Sequence, residues 1–127
     1  MHKLAAGIIA ALFVVAVAAP ALAKTETIRG QIVDQSCYLK DTANNKGRDH
    51  KMPSDTADCA IACAKRGAPM ALLTAEGKVY TITGGLADSK NEKIVGHVAH
   101  TVEITGDVTE ANGKMSIAAS DLKMVAR

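Results

Sequence analysis

Four side chains in the middle of the chain have types and spacing that could do chemistry: Cys37, His50, Cys59 and Cys63. Cys59 and Cys63 are four residues apart in an Ala-rich stretch that reads as helix, which puts both sulfurs on one face with Cα atoms about 6 Å apart. A tetrahedral ion with metal–sulfur bonds of about 2.3 Å wants sulfurs about 3.8 Å apart, a spacing that rotamer choice at i and i+4 can supply. Cys59 falls near the start of that helix, where the positive end favours the thiolate, the form that binds metal. Cys37 and His50 then complete a Cys3His set. Soft thiolates suit copper or zinc, and Met52 and Met70 flank the segment as thioether ligands for copper. A second reading of the same cysteines stands beside this one. Small exported domains often use disulfides. Cys37 joined to Cys59 or Cys63 would close a loop of 22 or 26 residues, worth about 3 kcal/mol in the chain-entropy account. A Cys59–Cys63 bridge suits disulfide geometry poorly, because Cβ vectors on one helix face run parallel. Three cysteines are odd in number, so any internal bridge leaves one thiol over.

Other chemistries fail on spacing. Cys-x-x-Cys and Cys-x-x-Cys-His are both missing, which removes thioredoxin-like exchange and covalent haem attachment. No oxyanion hole is indicated beside a Cys–His pair, so no catalytic residue is assigned and the chain is read as a non-enzyme. His97 and His100 sit where a loop enters a strand and read as solvent-facing or locally hydrogen-bonded. The aspartates at 34, 41, 49, 55 and 58 lack the alternation of a calcium loop. Gly84-Gly85 reads as a turn, with no phosphate-binding pattern around it.

The elements that position these residues follow from the pattern along the chain. Residues 4–23 carry no charge, follow Met1-His2-Lys3 and end in Ala21-Leu22-Ala23, the pattern of a cleaved secretory signal peptide. Cleavage after Ala23 leaves 104 residues, Lys24 to Arg127, with 14 Lys and Arg against 13 Asp and Glu. One domain is expected at that size. It has no second apolar stretch and so no membrane span, and its place is periplasmic or secreted. Near-zero net charge argues against a general nucleic-acid binder. Only Tyr38 and Tyr80 remain as aromatics, so base-stacking platforms are nearly missing.

Thr25 to Val33 predicts a strand with a bend or bulge at Gly30. Lys40 to Pro53 predicts a long polar loop. Ala57 to Arg66 predicts a helix capped by Ser54, Asp55 or Thr56 and stopped by Gly67. Met70–Thr74 and Lys78–Thr83 predict a hairpin around Glu76-Gly77. One helical turn is expected within 87–92, then a strand over Thr101–Val108, a tight turn at Asn112-Gly113, and a last strand pair or one bent strand over 115–125. The order suggests a mainly β, five-stranded Greek-key barrel, which removes exposed sheet edges. A short helix and its Cys/His-bearing loop, residues 37–67, are inserted after the first strand.

The stretch His97-Val98-Ala99-His100-Thr101-Val102-Glu103-Ile104-Thr105-Gly106-Asp107-Val108, with Leu122-Lys123-Met124-Val125, resembles the second half of small secreted bacterial OB-fold-like domains. Ile28-Arg29-Gly30-Gln31-Ile32-Val33-Asp34 and Gly77-Lys78-Val79-Tyr80 are similar to the same group, and Cys37-Tyr38-Leu39 and Cys59-Ala60-Ile61-Ala62-Cys63 resemble the subset with a cysteine-bearing insertion. The resemblance implies an OB-like barrel and an exported location, and implies no chemistry. The functional expectation is an exported module that binds a copper or zinc ion through Cys37, His50, Cys59 and Cys63. The alternative is a non-catalytic interaction domain with a periplasmic protein partner, its cysteines forming a structural disulfide.

Overall fold

The computed structural model describes residues 23–43 and 56–127. The expected leader up to Leu22, His50, Met52 and the cap candidates Ser54 and Asp55 lie outside the described residues.

Strand β1 (Lys24–Asp34) alternates apolar and polar residues and turns Ile32 fully inward. Its first part pairs antiparallel with β4 (Thr101–Ala111), and its end pairs antiparallel with β2 (Met70–Leu73). No bulge interrupts it at Gly30, because the β4 register runs without shift from Lys24 to Gln31. Gly30 is needed for a close approach instead. A Cβ there would lie 2.5 Å from the Leu73 carbonyl oxygen, where β1 passes from one neighbour to the other.

Strand β2 pairs antiparallel with β3 (Val79–Thr83), and β3 pairs parallel with β5 (Lys114–Ala118). β5 returns antiparallel to β4 across the two-residue turn Asn112-Gly113, whose φ values of 54° and 75° suit the strand twist. The β1–β4 ladder closes the ring, giving a five-stranded mixed barrel in the order β1-β2-β3-β5-β4. This is the expected OB-like architecture. The final stretch resolves into two strands rather than one bent strand, and β6 (Lys123–Ala126) adds to the first residues of β4 outside the ring.

Helix α2 (Thr56–Lys65) packs Ala60, Ile61 and Ala64 against the barrel core of Ile32, Met70, Leu72, Val102, Ile104 and Ile117. The expected helical turn before β4 is longer than foreseen. A 3-10 turn at Gly84–Ala87 runs into α3 (Asp88–Val95), and both Leu86 and Ile94 are fully buried. Within α3, three successive residues, Ser89, Lys90 and Asn91, hold left-handed φ of 52°, 55° and 60°.

A short helix not foreseen from the sequence, α1 (Gln35–Lys40), follows β1 directly. Its Tyr38 covers a second, smaller cluster of Val33, Ala71 and Leu73. Lys40 therefore belongs to α1, and of the expected polar loop only residues 41–43 lie beyond it among the described residues.

Candidate metal centre

Asp34 is where the strand geometry becomes site geometry. It ends β1, and its carboxylate caps α1 by accepting the Cys37 backbone N–H at 3.2 Å. Period-two alternation puts it on the same face as Ile32, toward the core, and it is only 5% exposed. Its cross-strand partner is Met70, which is fully buried.

The Asp34 carboxylate acts on the thiols of both Cys37 and Cys63, and Cys59 lies within electrostatic reach of both thiols. Two helices and one strand end thus bring Cys37 and Cys63 within electrostatic reach of one carboxylate. Burial pushes the Cys37 thiol above its ordinary value of 9.0. The Asp34 carboxylate and the neighbouring Cys59 push the same way, against Lys40. Burial also leads at Cys63, followed by the Asp34 carboxylate, while Arg66 pulls down and Cys59 pushes up. Both groups are therefore neutral thiols near pH 7. No disulfide joins the three cysteines, which all lie among the described residues. Among the described residues no three His, Cys, Asp or Glu side chains are drawn close enough to hold a metal ion as they stand.

The end of α2 is fixed with care around Cys63. Its carbonyl accepts the Ala68 N–H at 3.1 Å while the Ala64 carbonyl accepts the Gly67 N–H at 2.9 Å. This paired closure needs the left-handed φ of 85° that Gly67 adopts. The buried Asn91 amide clamps the same turn, donating to the carbonyls of Ala64 at 3.0 Å and Ala68 at 2.9 Å. Arg66 reaches back with Nη2 3.1 Å from the Cys63 sulfur.

Of the sequence-derived site residues, Cys37, Cys59 and Cys63 share one end of the barrel, and His50 lies outside the described residues. Sequence reasoning missed Asp34, Arg66 and Asn91. The signal for Asp34 was its place three residues before Cys37, the spacing of an N-cap; Asn91 gave no local signal, because its partners are 23 and 27 residues away. His97 and His100 stack edge-to-face at 5.8 Å and are half-buried rather than solvent-facing, with the His97 Nδ1 buried and without a hydrogen-bond partner.

A separate cleft of about 490 Å³ lies beside Tyr38, between Arg29, Gln31 and Thr101 on one side and the β2–β3 turn on the other, and none of the cysteines lines it. Among the described residues no helix is long and apolar enough to cross a membrane. Comparison of the chain with protein families, with curated proteins and with solved structures finds no match.

Proposed function

We propose that the chain is an exported, non-catalytic module that binds a copper or zinc ion through Cys37, Cys59 and Cys63, with His50 as the expected fourth ligand. The observation that carries this reading is that the cysteines of two separate helices, Cys37 on one and Cys59 and Cys63 on the other, lie within electrostatic reach of one another, with the buried Asp34 acting on Cys37 and Cys63. Burial and Asp34 keep the Cys37 and Cys63 thiols protonated while no cation is present. A bound cation reverses that balance, since a coordinating thiol loses its proton. Binding therefore expels protons and draws the sulfurs inward from their present open arrangement. The signal-peptide pattern at the start of the chain supports the exported location.

The second reading keeps the same proximity and gives it another use. Oxidation of Cys37 with Cys59 or Cys63 would staple the insertion to the barrel of a periplasmic interaction domain. Thiol titration separates the two. Under the metal reading, the reduced protein takes up one equivalent of zinc or Cu(I), which protects three thiols until a chelator releases them, and Cys63→Ser abolishes stoichiometric uptake. One reactive thiol, indifferent to chelator, sinks the metal reading in favour of the staple.

A further inference from the structure

The geometry points to a second copy of this chain as a partner for β1, the two first strands pairing antiparallel about a two-fold axis at Thr27. Strand β1 has 11 residues, whereas β2, its neighbour on one side, has 4. Ile32 donates to the His100 carbonyl at 3.2 Å and accepts the Ala99 N–H at 2.9 Å, so its backbone groups face the β4 side. Along an antiparallel ladder these groups alternate in direction. Gln31 and Val33 therefore face β2, in register with Leu73 and Ala71. Thr25, Thr27 and Arg29 face that side too, but β2 ends at Leu73. Among the described residues no backbone bond reaches their N–H or C=O groups from there. All three residues are exposed. The first half of β1 is thus an open sheet edge, a template for another strand.

The residues along this edge complement themselves. Antiparallel pairing about Thr27 sets Thr27 against Thr27, Thr25 against Arg29, Glu26 against Ile28 and Lys24 against Gly30 of the other copy. The three residues with open backbone groups then meet one another, giving about six hydrogen bonds. Lysine and arginine on an edge normally guard it against pairing. In this register no two like charges come directly opposite. Lys24 of the second copy instead arrives beside Gly30, at the cleft whose other wall holds Glu76. The chain before Lys24 leaves the edge there, because Gln31 already pairs with Leu73. Threonine and isoleucine are good strand formers, so the edge keeps its extended shape without β2. One strand from each copy makes a small interface, and the dimer is therefore weak and reversible.

Sedimentation equilibrium from about 1 μM to about 1 mM tests the pairing. The protein is kept reduced, which excludes dimers made by a disulfide. The weight-average mass is expected to rise from that of the monomer toward twice that value. Thr27→Pro removes an N–H that the β4 ladder does not use, at an edge position where proline is accepted, and should weaken association more than about tenfold. If that variant does not fold, Thr27→Glu and Thr27→Lys carry the test at the same exposed position. Each alone sets like charges opposite at the axis and should associate several-fold less tightly, and an equimolar mixture of the two should recover association. Amide exchange locates the contact: Thr25, Thr27 and Arg29 should gain protection at high concentration, while Glu26 and Ile28, already bonded to β4, should not change. A wild-type protein still monomeric at about 1 mM, a folded proline variant that associates like wild type, or charge variants that fail to rescue each other would overturn the pairing.

Discussion

Replacing Asn91 by alanine tests how the thiol-bearing helix is held in place. Asn91 is 3% exposed and donates to two carbonyls at the end of α2. A typical hydrogen bond contributes about 1 kcal/mol net, and a buried acceptor left without a donor costs more. The Ala64 carbonyl keeps the Gly67 N–H in the variant, so its loss stays near that net value. The Ala68 bond is only part-buried, and water can replace some of it. Asn91 also sits at φ 60°, a conformation that Asn tolerates better than Ala. Together these give a loss of about 2–3 kcal/mol. For a domain of about a hundred residues that lowers Tm by roughly 10–20 °C. Urea denaturation of the reduced protein measures it. Asn91→Gly separates the two causes: it relieves the backbone strain but not the lost bonds, and should recover about 1 kcal/mol relative to the alanine variant. A change within about 0.5 kcal/mol for Asn91→Ala, the range of ordinary surface substitutions, would refute the clamp.

Gly30→Ala places a Cβ 2.5 Å from the Leu73 carbonyl oxygen, a rigid backbone atom, and is expected to yield little folded protein; near-wild-type melting would show that the strand crossing can relax. Tyr38→Ala uncovers the small cluster on Val33, Ala71 and Leu73 and should cost about 2–4 kcal/mol in denaturant unfolding. The folded-state values of Cys37 and Cys63 are raised, so each contributes stability below the unfolded thiol value of 9.0 that is lost as pH rises through the folded value. Metal-free, reduced protein should therefore lose stability above about pH 9, and Cys63→Ser should flatten that loss; a wild-type curve flat from pH 7 to 10 would contradict it. Cys59 is the exposed thiol of the three and should be alkylated first near neutral pH, as read by peptide mass mapping.

The barrel was legible because its signals are local. Alternating Ile and Thr residues, Glu76-Gly77 and Asn112-Gly113 specify strands and turns within a few residues, and a chain with that many strands has few ways to hide its edges. The helix over 57–66 and its Gly67 stop were legible for the same reason. Other features depend on partners far along the chain. The split of the last stretch into β5 and β6 comes from their separate ladders on different parts of β4. The left-handed run at Ser89–Asn91 is ordinarily disfavoured for such residues, and the only clue to it lies across space, in the carbonyls that Asn91 satisfies.

The same division holds at the site. Residue types and spacing alone put Cys59 and Cys63 on one helix face, nominated Cys37 as their partner, and made the odd thiol conspicuous. Only the closed barrel brought Cys37 within electrostatic reach of the second helix's cysteines, because α1 starts where β1 ends and α2 packs on the core. Only the tertiary structure buried Asp34 and brought Asn91 onto the end of α2, since a side chain's burial and distant neighbours are set by packing between segments, which no run of sequence contains.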